Sequence, residues 1–301
     1  AGSEQSGRLN GQIHNGRFQS DIHFAAVDNH INALEINNDI DMDENPVSIK
    51  SEFLISLFDQ LLKSNDSRLG GGVGAKDKSI IDRCAIKVYG EYLSGKSEYM
   101  PTLVDFRNEL LRQPEDEAGD LALSLEIFTT GSLDAFAHQS DVNTNNRIVA
   151  YDILELGEQM KSIGLLIMLD NIFNRVMANR RRGKYTRVYV DEAHLYFKNP
   201  YSADFLLKCW KRFRKYGGLL TGITQNISDC LLNETARGML SNSEFLLLLN
   251  QAPSDRKDLS ELLSISDTQM SYVDNALAGH GLIKVGGAIV PFANELPKNT
   301  E

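Results

Sequence analysis

A chain of 301 residues, 42% apolar and 24% charged, has room for one large domain or two modest ones, each with a core. Its net charge of −10 argues against a protein that coats itself in nucleic acid and leaves room only for a local basic patch. Cys84, Cys209 and Cys230 are far apart and odd in number, which excludes a disulfide framework or zinc spacing and favours a reducing cytosolic setting.

Residues 1–45 are polar and irregular, with one short apolar run, HINALEI, that reads as a strand. The leading AGS is set aside, and nothing there resembles a signal peptide. This zone has no core of its own and reads as the incomplete edge of a larger α/β domain. From 46 to 146 the period turns helical. Ile49, Phe53, Leu54, Leu57, Phe58, Leu61 and Leu62 share one helix face; Ile80, Ile81, Cys84, Ala85, Val88, Tyr89 and Leu93 share another. Between them LGGGVGAK reads as a linker. Thr102 and Asp105 form a capping box ahead of Leu103, Phe106 and Leu110. This zone is an all-α insertion.

From 147 to 301 strands and helices alternate. RIVAYDI is a strand, followed by an apolar helix from about Lys161 to Asn179. RVYVDE is the next strand. Asn199 caps a helix with Pro200 at its first position, and Gly217 ends it. LLTGITQ, a helix in DCLLNETARGML, and EFLLLLN follow. Two more helices lead to LIKVGGAIVPF, a hairpin across Gly286-Gly287. Continuous apolar strands joined through helices predict an α/β fold with a mostly parallel sheet buried on both faces. LLIML and FLLLL, the longest apolar runs, are too short to span a bilayer.

Residues 90–97, GEYLSGKS, match the spelling of a phosphate-binding loop, G-x-x-x-x-G-K-[ST]. Such a loop leaves a buried strand and opens into a helix, whose N-terminal N–H groups cradle the phosphates. Here the upstream spacing is helical, and Pro101 and Thr102 start a new helix just downstream. The stretch reads as a helix end and a short loop.

RVYVDEAH is a stronger signal. Asp191 and Glu192 stand at the C-terminal end of a strand, where open α/β sheets place their ligands. There Asp191 suits the water shell of a nucleotide's Mg²⁺, and Glu192 suits activation of the attacking water. The plainer alternative is a pair of carboxylates capping the next helix. The following strand ends in Thr224-Gln225, and Gln225 can hydrogen-bond a γ-phosphate or that water. Arg214 and Arg256 are candidates to stabilise phosphate charge. Lys208, Lys211, Arg212 and Lys215 share one helix face, either solvated or a contact for DNA or a partner subunit. Arg180-Arg181-Arg182 reads as a solvated turn, His194 as incidental, and the six histidines show no metal-ligand spacing. A DEAH-box helicase would need motifs and a second domain that are not written here.

The stretches KSEFLISL, KSIIDRC, PTLVDF, TGSLDAF, NRIVAYDI, VYVDEAHLYF, WKRFRKYGG, TGITQN, MLSNSEFLLLLNQAPSDR and ISDTQMSYV run in the order found in a known family. From about Asn29 onward the chain resembles the large conjugation ATPases of type IV secretion systems (the VirB-, TrbE- and TraE-like group), especially those of Gram-positive conjugative elements. From Asp191 it also resembles the FtsK/HerA motors. The resemblance implies a RecA-like P-loop NTPase fold with an all-α insertion. It implies hexameric assembly, other secretion subunits as partners, and hydrolysis of ATP with Mg²⁺ to power pilus assembly or transfer. It places the protein in the cytoplasm at the inner face of the cell membrane, held there through partners. Asp191 and Glu192 match the Walker B pair, Gln225 the sensor glutamine, and Arg214 the arginine ahead of the sensor strand. The family's phosphate loop lies upstream of the HIN region, and residues 1–29 carry none. The expectation is a C-terminal portion without its loop, or a degenerate relative, with a non-catalytic scaffold as the alternative function.

Overall fold

The computed structural model describes residues 11–14, 17–23, 30–36, 45–65, 72–142, 146–152, 156, 158–197, 200–225, 227, 230, 233–250, 253–274 and 276–294. The chain divides into two compact units, residues 1–186 with 213–218 and residues 187–212 with 219–301.

The first unit opens with strands β1 (Gly11–His14) and β2 (Arg17–His23), paired antiparallel. β3 (Ile148–Asp152) joins β2 in parallel, with Gln19 opposite Ile148 and His23 opposite Asp152. Between them lies the helical zone: α1 (Pro46–Asn65), α2 (Ala75–Leu93), α3 (Leu103–Leu111), α4 (Asp116–Ser124) and α5 (Glu126–Thr129). α1 starts where the sequence says it should. The Asn45 side chain accepts the Val47 N–H at 2.9 Å, and Pro46 takes the first position, where a missing N–H costs nothing. Phe53, Leu54, Leu57, Phe58 and Leu61 of α1 are buried, as are Ile80, Ile81, Cys84, Ala85 and Tyr89 of α2. The capping box of α3 forms, Asp105 accepting the Thr102 N–H at 2.8 Å. α6 (Glu158–Arg181) follows β3.

HINALEI is not a strand. Residues 30–36 form a largely buried turn in which three carbonyls are taken by side chains. Lys50 donates to Ala33 O at 3.1 Å, Tyr89 to Leu34 O at 2.6 Å, and Asn174 to Glu35 O at 2.9 Å. A backbone satisfied this way has no need of a strand partner.

The second unit carries β4 (Thr186–Val190), α7 (His194–Phe197), α8 (Pro200–Phe213) and β5 (Gly218–Gly222), the first residue of β4 and the outer ends of α8 and β5 belonging to the first unit. Then come α9 (Glu234–Ser241), β6 (Phe245–Leu248), α10 (Pro253–Leu263), α11 (Asp267–Met270), β7 (His280–Val285) and β8 (Ala288–Ala293). Asn199, the expected cap of α8, lies outside the described residues. A 3₁₀ turn, Arg214–Tyr216, ends the α8 run before Gly217 at φ +70°. The core of this unit gathers Ile227, Ala236, Leu248, Leu259, Leu263 and Val273 among others.

The α/β class holds, but among the described residues the strands form three small sheets, less parallel and less covered than the apolar runs predict. β4 pairs with β5, while β6–β7–β8 form an antiparallel meander with the expected Gly286-Gly287 turn. Exposed side chains alternate with buried ones on β4 and β6. Tyr189 is 64% exposed, Phe245 59% and Leu247 49%, so these strands are buried on one face only. A uniform apolar run cannot say how many layers pack on it.

Candidate functional site

The site is built by the ends of two neighbouring strands. Ile223 N–H donates to Val190 O at 2.8 Å, and Ala193 N–H donates to Ile223 O at 2.8 Å. These bonds continue the β4–β5 pairing past both strand ends and lay Thr224-Gln225 beside the Asp191–Ala193 turn. Gly222 lies alongside this turn: a Cβ at that position would make ordinary contact with Ala193 Cβ at 3.4 Å and the Trp210 ring at 3.7 Å.

Glu192 has φ +47°, the left-handed region. A residue with a Cβ held there costs about 1–3 kcal/mol, and such strain concentrates at functional sites. Two bonds hold the turn. Asp191 Oδ1 accepts the Glu192 N–H at 2.9 Å, and Glu192 O accepts the Leu195 N–H at 2.9 Å as α7 begins. Glu192 is then gripped at both carboxylate oxygens. Gln225 Nε2 donates to Oε1 at 3.1 Å, and His194 Nδ1 lies 3.2 Å from Oε2. Thr224 Oγ1 stands 3.4 Å from the same imidazole nitrogen. Glu192 is half-buried, His194 mostly buried, and Asp191 exposed. Each oxygen of Glu192 keeps a further lone pair. The arrangement is a carboxylate flanked by an amide and an imidazole, beside an exposed second carboxylate. It can accept a proton from a water, and Asp191 can meet a hydrated cation.

The structure thus brings together Asp191, Glu192 and Gln225. His194 joins them, a residue that sequence reasoning sets aside. Periodicity carries no signal for it, because a strand would continue straight, whereas the turn at Glu192 folds His194 back onto its neighbour but one. Arg256, on α10, is ion-paired with Asp274. Arg214 is exposed in the 3₁₀ turn and belongs to the first unit. Lys208 and Lys211 are exposed and Arg212 half-buried on α8; Lys215 is exposed in the 3₁₀ turn. Among the described residues no three His, Cys, Asp or Glu side chains converge on one metal position.

GEYLSGKS sits at the wrong end of a helix. Gly90–Leu93 are the last turn of α2, and Gly95 has φ +73° just beyond it. The N–H groups of Lys96 and Ser97 both turn back to Glu91 O, at 2.9 and 3.2 Å, and Ser94 N–H bonds Gly90 O at 3.1 Å. The donors a phosphate needs are already used, and a helix C-terminus presents negative partial charge.

Comparison with solved structures gives the fold a name. A VirB4 structure from Thermoanaerobacter pseudethanolicus aligns over 92% of this chain and 77% of its own, with a TM-score of 0.72 and 22% identity. This chain has the fold of VirB4. The bacterial conjugative coupling protein TrwBΔN70, in its trigonal form with sulphate, aligns over 94% of this chain and 75% of its own, with a TM-score of 0.53 and 12% identity. A TrwB structure in complex with ADP and Mg²⁺ reaches a TM-score of only 0.49 at 13% identity, too low for a comparison of sites. No protein-family model matches the sequence, and no curated protein is detectably similar to it. The VirB4 likeness covers 92% of the chain and so takes in both the helical zone and the strand–helix region.

Proposed function

We propose that this chain is the motor region of a conjugation or type IV secretion ATPase and supplies the water-activating side of its site. The observation that carries the proposal is the Glu192 carboxylate, held by Gln225 and His194 at the end of β4. The shared VirB4 fold and the ordered family motifs support it.

For a magnesium nucleotide the residues present fit in part. Asp191 offers the exposed carboxylate that Mg²⁺ takes through its waters. The Gly-Lys-Ser stretch offers no cradle, because its N–H groups bond inward. A bound magnesium nucleotide would supply the phosphorus that water attacks. Glu192 would accept that water's proton on a carboxylate oxygen, with Gln225 and His194 fixing its orientation. Arg214 would stabilise phosphate charge, and Arg256 would do so on release from Asp274. The same reading takes a hexamer as the working assembly, other secretion subunits as partners, and the cytoplasmic face of the membrane as the place of action. Lys208, Lys211, Arg212 and Lys215 would contact transferred DNA.

Glu192→Gln tests the core of this. It keeps shape and most hydrogen bonding but cannot accept a proton. In the full-length protein, ATP affinity should persist while turnover falls by on the order of 10²–10⁴. Asp191→Asn should instead weaken Mg²⁺-dependent binding, and Gln225→Ala should lower turnover with little change in affinity. Near wild-type turnover by Glu192→Gln would reduce the pair to a helix cap.

The inward-bonded Gly-Lys-Ser stretch favours a second reading, a non-catalytic scaffold that binds partner subunits. A ligand that binds only the folded state raises the thermal midpoint. A full-length protein whose midpoint ignores Mg-ATP would be the scaffold.

A further inference from the structure

Charge is segregated in the first unit. From Asn171 to Thr186 and from Phe213 to Gly218 the sequence has seven Arg or Lys and no Asp or Glu, in a chain whose net charge is −10. The fold brings these stretches together. α6 ends at Arg181, and the chain turns through Gly183 at φ +66°, with Lys184 N–H bonded to Asn179 O at 2.9 Å. The 3₁₀ turn Arg214–Tyr216 lies against it. Gly217 O accepts the Thr186 N–H at 3.2 Å, and a Cβ at Gly217 would meet the Tyr185 ring at 3.4 Å and Arg180 Cδ at 3.5 Å. Phe173 stacks on Phe213 at 5.7 Å and meets Tyr216 edge-on at 5.6 Å, so both turns share one apolar footing. Arg180, Arg182, Lys184, Arg214 and Lys215 are exposed around Tyr185, itself 76% exposed. Cations at helix C-termini offset the helix dipole, which accounts for one or two of these charges but not for five on adjoining turns.

We propose that this face docks directly on an anionic lipid bilayer, its cations meeting headgroup phosphates while Tyr185 seats at the interface. Clusters of four to eight Lys/Arg are what acidic membrane surfaces attract, and a tyrosine suits the headgroup level with its apolar ring and polar tip. A single-stranded nucleic acid would ask for successive exposed aromatic platforms. Among the described residues of this face only Tyr185 provides one, since the Tyr216 ring meets Phe173 edge-on and has the Lys215 Nζ 5.4 Å from its centroid. The acidic remainder is no obstacle, because charges beyond about 8 Å are screened at physiological salt. The proposal takes Arg214 and Lys215 for the lipid face in place of the phosphate and DNA roles given them above, and its test needs no nucleotide hydrolysis.

Co-sedimentation with vesicles of phosphatidylglycerol and phosphatidylethanolamine, against pure phosphatidylcholine, tests it. The wild-type chain should bind the anionic vesicles selectively and release them as salt rises. Each cation near such a surface is worth about fivefold in partitioning, so Arg180→Glu/Arg182→Glu/Lys184→Glu should lose on the order of 100-fold or more. Lys78→Glu/Lys96→Glu, at exposed sites in the helical zone, should lose far less. A thermal melt checks that each variant folds. If the triple variant does not, Tyr185→Ala/Lys184→Gln carries the same comparison, with a loss of several-fold or more. Equal binding to both lipid compositions, or equal losses for the two charge-reversal sets, would overturn the proposal. So would salt-sensitive binding of a single-stranded oligonucleotide that the triple variant abolishes while vesicle binding stays, which would make the face a nucleic-acid surface.

Discussion

Glu192 joins strain and chemistry in one residue. Its left-handed backbone is costly, yet it is the conformation that turns the chain so that His194 comes back onto its carboxylate. If His194 acts through Glu192, its removal should mirror a milder Glu192 defect. His194→Ala is expected to lower kcat by about tenfold, roughly 1.4 kcal/mol of transition-state stabilisation, with KM for ATP unchanged. His194→Asn, whose amide can reach the same oxygen, should recover part of it. Steady-state kinetics that separate kcat from KM check this; a change confined to KM would make His194 a binding residue instead.

The α2 terminus shows how an element overrides a motif. The spelling GEYLSGKS survives, but the helix consumes it: the Lys96 and Ser97 N–H groups both bond Glu91 O in the last turn. Lys96→Ala should therefore leave nucleotide affinity unchanged in calorimetric titration and stability within about 0.5 kcal/mol, the range of ordinary surface substitutions. A loss of ATP binding would return this stretch to the phosphate site. The cap of α3 behaves oppositely, because there the local rule is obeyed. Thr102→Ala removes the side chain that accepts the Asp105 N–H, and should cost about 1 kcal/mol in the denaturant midpoint.

At the scale of the molecule, one buried ion pair ties the helical zone to the strand–helix region. Lys50 of α1 is 1% exposed and bonded to Asp170 of α6, 4% exposed. Burial pushes the Asp170 carboxyl up, and the Lys50 ammonium pulls it back. Asn174 also donates to it at 3.3 Å, while Lys50 keeps its bond to Ala33 O. Lys50→Met would leave a buried carboxylate without its counter-charge, at an expected cost of about 3–5 kcal/mol. Lys50→Met/Asp170→Leu should recover most of that loss in urea unfolding, since an apolar pair of similar volume has no charge to desolvate. A double variant as unstable as the single would mean that the surrounding polar network, not the charge, holds these elements together. The partition into units reflects the same packing: β3 and α6 go with the helical zone, so the compact boundary runs near residue 186.

By itself the sequence determined the elements whose signals are local. Apolar spacing at helical period set α1 and α2, the Thr102–Asp105 box set the start of α3, and Gly286-Gly287 set the last hairpin, because each depends on neighbours within a few residues. It also marked Asp191, Glu192 and Gln225, since strand ends in α/β folds are where side chains converge. Only the tertiary structure decided the rest. HINALEI has the composition of a strand, but side chains from three helices claim its carbonyls, and those partners are remote in sequence. Apolar strands look alike whether one face or both are covered, so the exposure of Tyr189 on β4 and of Phe245 and Leu247 on β6 could not be read from them. His194 became part of the site only through a backbone angle at Glu192, and the basic face only through the meeting of two turns about thirty residues apart. Contacts between distant residues depend on the path of the chain in space, which composition and spacing do not encode.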